Sequence, residues 1–302
     1  MSIILRQETQ PAEFSRRNRV NYFGPEPLFS RYRQVSHYEN FPVASLLLPR
    51  RLRRPVRTLY AFARQADDFA DEGEWPAAVR LERLDAFRRQ LERISHEETP
   101  ETPLFHDLAL TIRNHALPLP PFYDLLDAFR QDVVKTRYAN IAEIMDYCRR
   151  SANPVGVLLL HLYGAATPRH IAYSNAICSS LQLINFLQDV AVDFAKGRIY
   201  LPQDDMAKFG VSEAHIASRQ MAGGWRPLML SQIERARKLL QAGAPLGKAL
   251  PGRIGLELRM MIMGGETILR KLHRSGGDVF SQRPVLTPAD WAAMLYRAVR
   301  AR

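Results

Sequence analysis

The sequence predicts an all-α chain folded as a single domain. Apolar residues recur with helical period along most of its length, and nowhere do several alternating runs come at strand spacing. The breaks between periodic stretches are short and flanked by amphipathic sequence, so none reads as an interdomain linker. With 302 residues, 46% hydrophobic and 24% charged, the chain has globular composition and length enough for a sizeable core.

Residues 1–28 are polar and proline-punctuated and read as a loosely ordered lead to one helical domain over 29–302. Helical patterns follow at 37–48, 52–72, 76–95 and 102–116, the last two separated by the proline-rich stretch 98–103. A second such break, 117–121, leads into 119–135, and patterns continue at 141–149, 153–165 and 168–195. The glycine pair 223–224 separates 212–221 from 226–242, and a second pair at 276–277 follows 252–274. The final pattern, 287–301, opens on Thr287-Pro288-Ala289-Asp290, a capped start with proline in the first turn.

Two cysteines, Cys148 and Cys178, exclude a disulfide framework and a cysteine-rich zinc module, and they read as inert buried thiols. The expected location is therefore reducing and cytoplasmic. The opening Met-Ser-Ile-Ile-Leu-Arg is too short for a signal h-region. The uncharged run Ile171–Gln188 has the 18 residues of a membrane span but carries seven polar side chains, which suits a buried helix better. A formal net charge of +11 admits nucleic acid, an anionic membrane surface or an anionic substrate. Without a zinc finger, Gly-rich phosphate loop or RNP-like aromatic motif, nucleic acid is the least supported, and no nucleic-acid partner is expected.

Tyr60, Arg64, Asp67 and Asp71 fall at i, i+4, i+7 and i+11 and line one helical stripe. Leu59, Phe62, Ala63, Ala66, Phe69 and Ala70 fill much of the remaining surface, so the helix is expected to be buried. Buried carboxylates one turn apart repel, and a hard divalent cation such as magnesium resolves both costs. The alternative is a solvated face on which Arg64 pairs with Asp67 or Asp68. Gln182, Asn185, Asp189 and Asp193 repeat the geometry in a still more apolar helix. Two such helices facing each other across a cavity, or two unrelated surface patches, are the competing arrangements. Gly197 would end the second helix, leaving Lys196 and Arg198 beside the aspartates. Basic groups there suit a diphosphate, although compensation of the helix dipole also explains Lys196.

These residues resemble the squalene/phytoene synthase family of head-to-head trans-isoprenyl diphosphate synthases, from about Phe41 to Pro202 and more faintly to the C-terminus. The likeness rests on Tyr60-x-x-x-Arg64-x-x-Asp67-x-x-x-Asp71, Tyr147-Cys-x-x-Ser-Ala-x-x-Val155-Gly156, and Asn185-x-x-Gln188-Asp189-x-x-x-Asp193 followed by Gly197-Arg198-x-Tyr200-Leu-Pro202. Within the family, His37-Tyr-Glu-Asn40-Phe41-Pro42 resembles the hopanoid-pathway hydroxysqualene synthases more than their sisters. Glu39-Asn40 stands where squalene and phytoene synthases commonly carry a basic or serine-rich segment, and Gln188 where they usually carry arginine. Fewer positive sites suit an enzyme that handles one diphosphate.

The resemblance implies a class I isoprenoid synthase bundle around a central cavity. It implies a carbon–oxygen lyase that ionises presqualene diphosphate with Mg2+ and captures the cation with water, with no nicotinamide cofactor. Asp67, Asp71, Asp189 and Asp193 would hold metal, and Phe41, Tyr60, Arg64, Asn185, Gln188, Lys196 and Arg198 would bind substrate. Tyr147 matches a tyrosine assigned to the reaction itself. Phe41, Phe62, Tyr147 and Phe186 are candidates for the cavity wall, with plain core packing as the alternative. Peripheral contact with the inner membrane surface would suit a C30 substrate. The rival functions are a sister activity (presqualene diphosphate, squalene or dehydrosqualene/phytoene synthase) and a non-catalytic helical assembly protein. His161 reads as a hydrogen-bonded core histidine, and Asp132 with Arg137 as a structural ion pair.

Overall fold

The structure, a computed structural model, describes residues 48–71 and 75–300. Among them there are fourteen helices and no strand. The first group is α1 (Arg50–Asp71), α2 (Ala77–Ser95), α3 (Pro103–His115) and α4 (Pro120–Val134). Then come α5 (Ile141–Ser151), α6 (Asn153–Leu162), α7 (Pro168–Gln188), α8 (Val190–Ala195), α9 (Gln203–Lys208) and α10 (Glu213–Ala217). The chain closes with α11 (Trp225–Gly243), α12 (Leu246–Ala249), α13 (Gly252–Arg274) and α14 (Pro288–Arg300).

Side-chain caps fix several boundaries. Thr102, Asn140 and Thr167 accept from the backbone N–H groups of Phe105, Glu143 and His170, satisfying donors that a helix start leaves open. Thr287 and Asp290 form a reciprocal cap on α14, with Asp290 N–H donating to Thr287 Oγ1 and Thr287 N–H to Asp290 Oδ2. The predicted pattern 153–165 stops at Leu162 because Gly164 takes a positive φ of 66°. The predicted helix 168–195 is broken at Asp189, whose φ of −105° and ψ of 11° part α7 from α8. The four- and six-residue helices α12 and α9 are too short to show a period and were not expected. The predicted lead 1–28 and the pattern 37–48, Leu48 excepted, lie outside the described residues.

Among the described residues two apolar clusters fill the interior. One gathers around α1 to α4, where Phe62 meets Phe105 and Phe122 edge-to-face at centroid distances of 5.9 and 5.4 Å. The other surrounds α7, α11 and α13 and includes Trp225, Ile233 and Leu269. Helix α7 packs chiefly on α11 and α6, whereas α1 packs on α3 and α4. Close approach of α7 and α11 requires glycine at 243, where a Cβ would sit 2.6 Å from the backbone oxygen of Tyr173. No helix among the described residues is long and apolar enough to cross a membrane.

Candidate active site

On α1, Asp67 is only 4% exposed. Arg64 lies 2.7 Å from Asp68 and 4.0 Å from Asp67, so its nearer carboxylate is the one off the stripe. Asp71, at the end of α1, accepts from Arg198 Nη2 at 2.6 Å across 127 residues of sequence. Helix α7 ends beside Asp189, which accepts from Arg283 Nε at 2.5 Å and from Nη2 at 3.3 Å. The neighbouring Gln188 amide donates to Pro284 O at 2.5 Å. Asp193, on α8, is 2% exposed, and its backbone oxygen accepts from Arg198 N–H at 2.8 Å. Arg198 therefore bonds the backbone of one acidic motif and the side chain of the other. Asp67, Asp189 and Asp193 are buried and Asp71 is joined to the turn after the second motif through Arg198, so the carboxylates do not lie on open surface patches.

The carboxylate ends of α1 and α7, the acidic mouth, lie beyond an apolar cavity of about 190 Å³ whose lining includes none of the four aspartates. On α1 its wall includes Leu59, Tyr60 and Ala63, directly before Arg64 and Asp67. On α7 it includes Ile177, Cys178 and Leu181, directly before Asn185 and Asp189. Both helices thus run from hydrocarbon wall to carboxylate in the same direction. Asn185 is buried on this line, one turn beyond Leu181. Gly156 on α6 lets the wall close, because a Cβ there would sit 2.2 Å from Ser174 Oγ and 2.8 Å from Cys178 Sγ.

Behind the mouth lies a buried polar chain. Tyr147 and Tyr200 donate to the two oxygens of Asp132, at 2.5 and 3.0 Å. Arg198 Nη1 in turn approaches the Tyr200 hydroxyl at 3.4 Å. Burial, and then the negative Asp132, raise the Tyr147 phenol well above its ordinary value, so it stays a protonated donor. Phe186 stacks on Tyr200 at a centroid distance of 4.0 Å and packs against Tyr147.

Several sequence expectations need correction. Tyr147 and Phe186 do not line the cavity but form this aromatic layer, whereas Phe62 does border it. Phe41 lies outside the described residues. Lys196 is exposed beyond the end of α8. Asp132 serves the two tyrosines, while Arg137 pairs with Glu213 at 2.7 Å. His161 is half-buried, and Cys178 is a wall residue whose thiol burial raises. Cys148 is buried, its thiol pushed up to about 12 by that burial.

No three His, Cys, Asp or Glu side chains among the described residues converge as ligands of a single ion.

Residues 34–290 match the squalene/phytoene synthase family profile. The chain belongs to the squalene/phytoene synthase family. Members of this family are enzymes that process prenyl diphosphates. The hydroxysqualene synthase of Rhodopseudomonas palustris is 33% identical over 265 residues, covering 86% of this chain and 88% of the relative. The phytoene synthase of Arthrospira platensis is 32% identical over 266 residues, covering 83% and 85% respectively. Among solved structures, squalene synthase HpnC from Alicyclobacillus acidocaldarius superposes with a TM-score of 0.74 at 38% identity, covering 80% of this chain and 90% of that one. A dehydrosqualene synthase shares the fold with a TM-score of 0.75 at 24% identity, covering 84% and 88%. The helical isoprenoid synthase fold expected from the sequence is thus the fold observed.

Sequence reasoning missed Arg283 and undervalued Asp132 in this member of the squalene/phytoene synthase family. Arg283 lies between α13 and α14, where no periodicity marks its partner. Asp132 carried a visible signal, an acid near the end of the otherwise apolar face of α4. The sequence reading pairs it with Arg137, five residues on.

Proposed function

We propose that the protein is a hydroxysqualene synthase, converting presqualene diphosphate and water into hydroxysqualene and diphosphate. The observation that carries the reading is the Arg198–Asp71 contact, which ties the first acidic motif to the turn after the second, on helices that also wall a largely apolar cavity. Asp67, Asp71, Asp189 and Asp193 are the residues that would hold magnesium. Bound there, magnesium would supply Lewis-acid neutralisation of the departing diphosphate. Arg64 and Arg198 add positive charge beside the carboxylates, and Tyr60 borders the cavity one turn before Arg64. The carbon–oxygen bond breaks with its electron pair leaving on diphosphate, and the cyclopropylcarbinyl cation rearranges within walls that are mainly apolar, with Ser174, Cys178 and Glu257 among their few polar residues. Protonated Tyr147 and its Asp132 partner fix the floor behind the mouth.

Gln188 favours the one-diphosphate reaction over condensation of two. Its amide is spent on Pro284 O, so a neutral, committed side chain stands where sister enzymes usually have a cation. The test is product analysis with pure protein, presqualene diphosphate and magnesium, without nicotinamide cofactor. Hydroxysqualene is the expected product, lost on chelation and at least 100-fold slower to form in Asp67→Asn and Asp189→Asn. Sustained condensation of farnesyl diphosphate, or squalene formed only with NADPH, overturns the assignment. Normal turnover by both aspartate variants overturns the site.

Peripheral membrane contact belongs to the same reading. Helix α14 lines the cavity through Trp291 and presents Leu295 and Tyr296 at 48% and 60% exposure. Sedimentation with anionic liposomes at low salt is the expected result, and failure at every salt concentration removes the idea.

A further inference from the structure

Gln182 is fully buried on α7, and neither its amide nitrogen nor its amide oxygen has a hydrogen-bond partner among the described residues. An amide held this way forfeits both its donor and its acceptor bonds, a cost that native interiors avoid by admitting water or a ligand. Its position is informative. Cys178, Gln182, Asn185 and Asp189 follow one another at i, i+4, i+7 and i+11, so Gln182 lies on one stripe of α7 between a wall residue of the cavity and the Asp189 carboxylate. Seven residues, about 10 Å of helix axis, separate it from Asp189. Gln182 itself does not border the cavity, but its neighbours Cys178 and Leu181 do. The cavity wall beyond is almost wholly apolar.

We propose that Gln182 holds the water molecule that captures the carbocation; the inference rests on the hydroxysqualene synthase reading and deepens it. The amide oxygen accepts one hydrogen bond from the water and the amide N–H₂ offers one to it, two of the bonds a buried water requires. This leaves a water lone pair directed at the cation. The water oxygen supplies both electrons of the new C–O bond, and its surplus proton passes to the released diphosphate, the strongest base in the site. Without the held water, that diphosphate takes a proton from a carbon beside the cation, and the product is a hydrocarbon polyene in place of the alcohol. Gln182 therefore decides the fate of the cation and not whether it forms.

The test is the ratio of alcohol to hydrocarbon formed from presqualene diphosphate, normalised to diphosphate released. Gln182→Met, of similar shape but apolar at its tip, is expected to lower the ratio at least tenfold. Gln182→Asn, which withdraws the amide by one methylene, is expected to lower it at least twofold. A folded variant of either kind with an unchanged ratio overturns the proposal, because a purely structural glutamine alters rate or melting temperature but not product fate. If neither variant folds, a high-resolution crystal structure of the unmodified protein decides. A water within hydrogen-bond distance of both amide atoms is expected, and a dry amide refutes the site. Wild-type protein that releases diphosphate but forms no alcohol instead refutes the parent reading.

Discussion

Replacing Arg198 with methionine tests the joining of the two acidic motifs directly. The guanidinium side chain is 8% exposed and Asp71 is 10% exposed, so the 2.6 Å pair is screened little by solvent. Removing one partner of such a pair strands the other charge, at a cost of about 3–5 kcal/mol. At about 2 °C per kcal/mol for a chain this large, the melting temperature should fall by about 6–10 °C. Asp71→Asn alone strands the opposite charge. The double variant Arg198→Met/Asp71→Asn strands neither, and should recover about 2–3 kcal/mol relative to the sum of the single losses. Urea unfolding of all four proteins gives the cycle, and the activity of Arg198→Met should drop about 100- to 1000-fold if the guanidinium also meets the departing diphosphate. Additivity within about 0.5 kcal/mol would mean that these groups do not touch, and the inward-facing geometry of the stripes would be wrong.

Three further outcomes follow from separate parts of the fold. Asp132→Asn leaves two tyrosine hydroxyls facing one acceptor and an N–H₂ group, and should cost about 1.5–3 kcal/mol in urea unfolding for each charged hydrogen bond lost, with kcat falling more than KM rises. Gly243→Ala drives a Cβ to 2.6 Å from Tyr173 O and 2.5 Å from Ile177 Cγ1, so α7 and α11 must separate at about 1–3 kcal/mol, read as a lower denaturation midpoint. Burial alone would raise the Asp290 carboxyl, but the Lys271 ammonium and the Thr287 backbone and hydroxyl donors overcome it and hold the group at about 2 against 3.8 unfolded. This support is complete above pH 4 and lost as the pH falls through 2, so amide protection in α14 should weaken across that window in the wild type and not in Asp290→Asn.

The fold was legible because its evidence is local. Caps at Thr102, Asn140, Thr167 and Thr287 and the helical period of the apolar residues depend on neighbours within a few positions. The stripes were legible for the same reason, since i, i+4, i+7 and i+11 can be read from a string of letters. What they face cannot. Whether Asp71 meets Arg198 is decided by the packing of α1 and of the turn after α8, and whether Asp189 meets Arg283 by the segment after α13. Asp132 shows the error that follows. A cation five residues away was chosen over tyrosines 15 and 68 residues away, which the fold brings to its two oxygens.

The break at Asp189 shows how those distant contacts reshape a local element. An uninterrupted helix would satisfy periodicity, and the Asp193 N–H still reaches Asp189 O at 2.7 Å across the break. Yet Gln188 is held by Pro284 and Asp189 by Arg283, both from one short segment outside the helix. A charge-assisted, two-pronged contact to a buried carboxylate outweighs the small cost of distorting one residue at a helix end. Beyond the break, Asp193 lies on the short α8, and the residue after Gly197 returns to α1 through the Arg198–Asp71 contact. Substituting Arg283 should therefore disturb the Asp71 contact as well as its own, although the two arginines belong to different segments and serve different carboxylates.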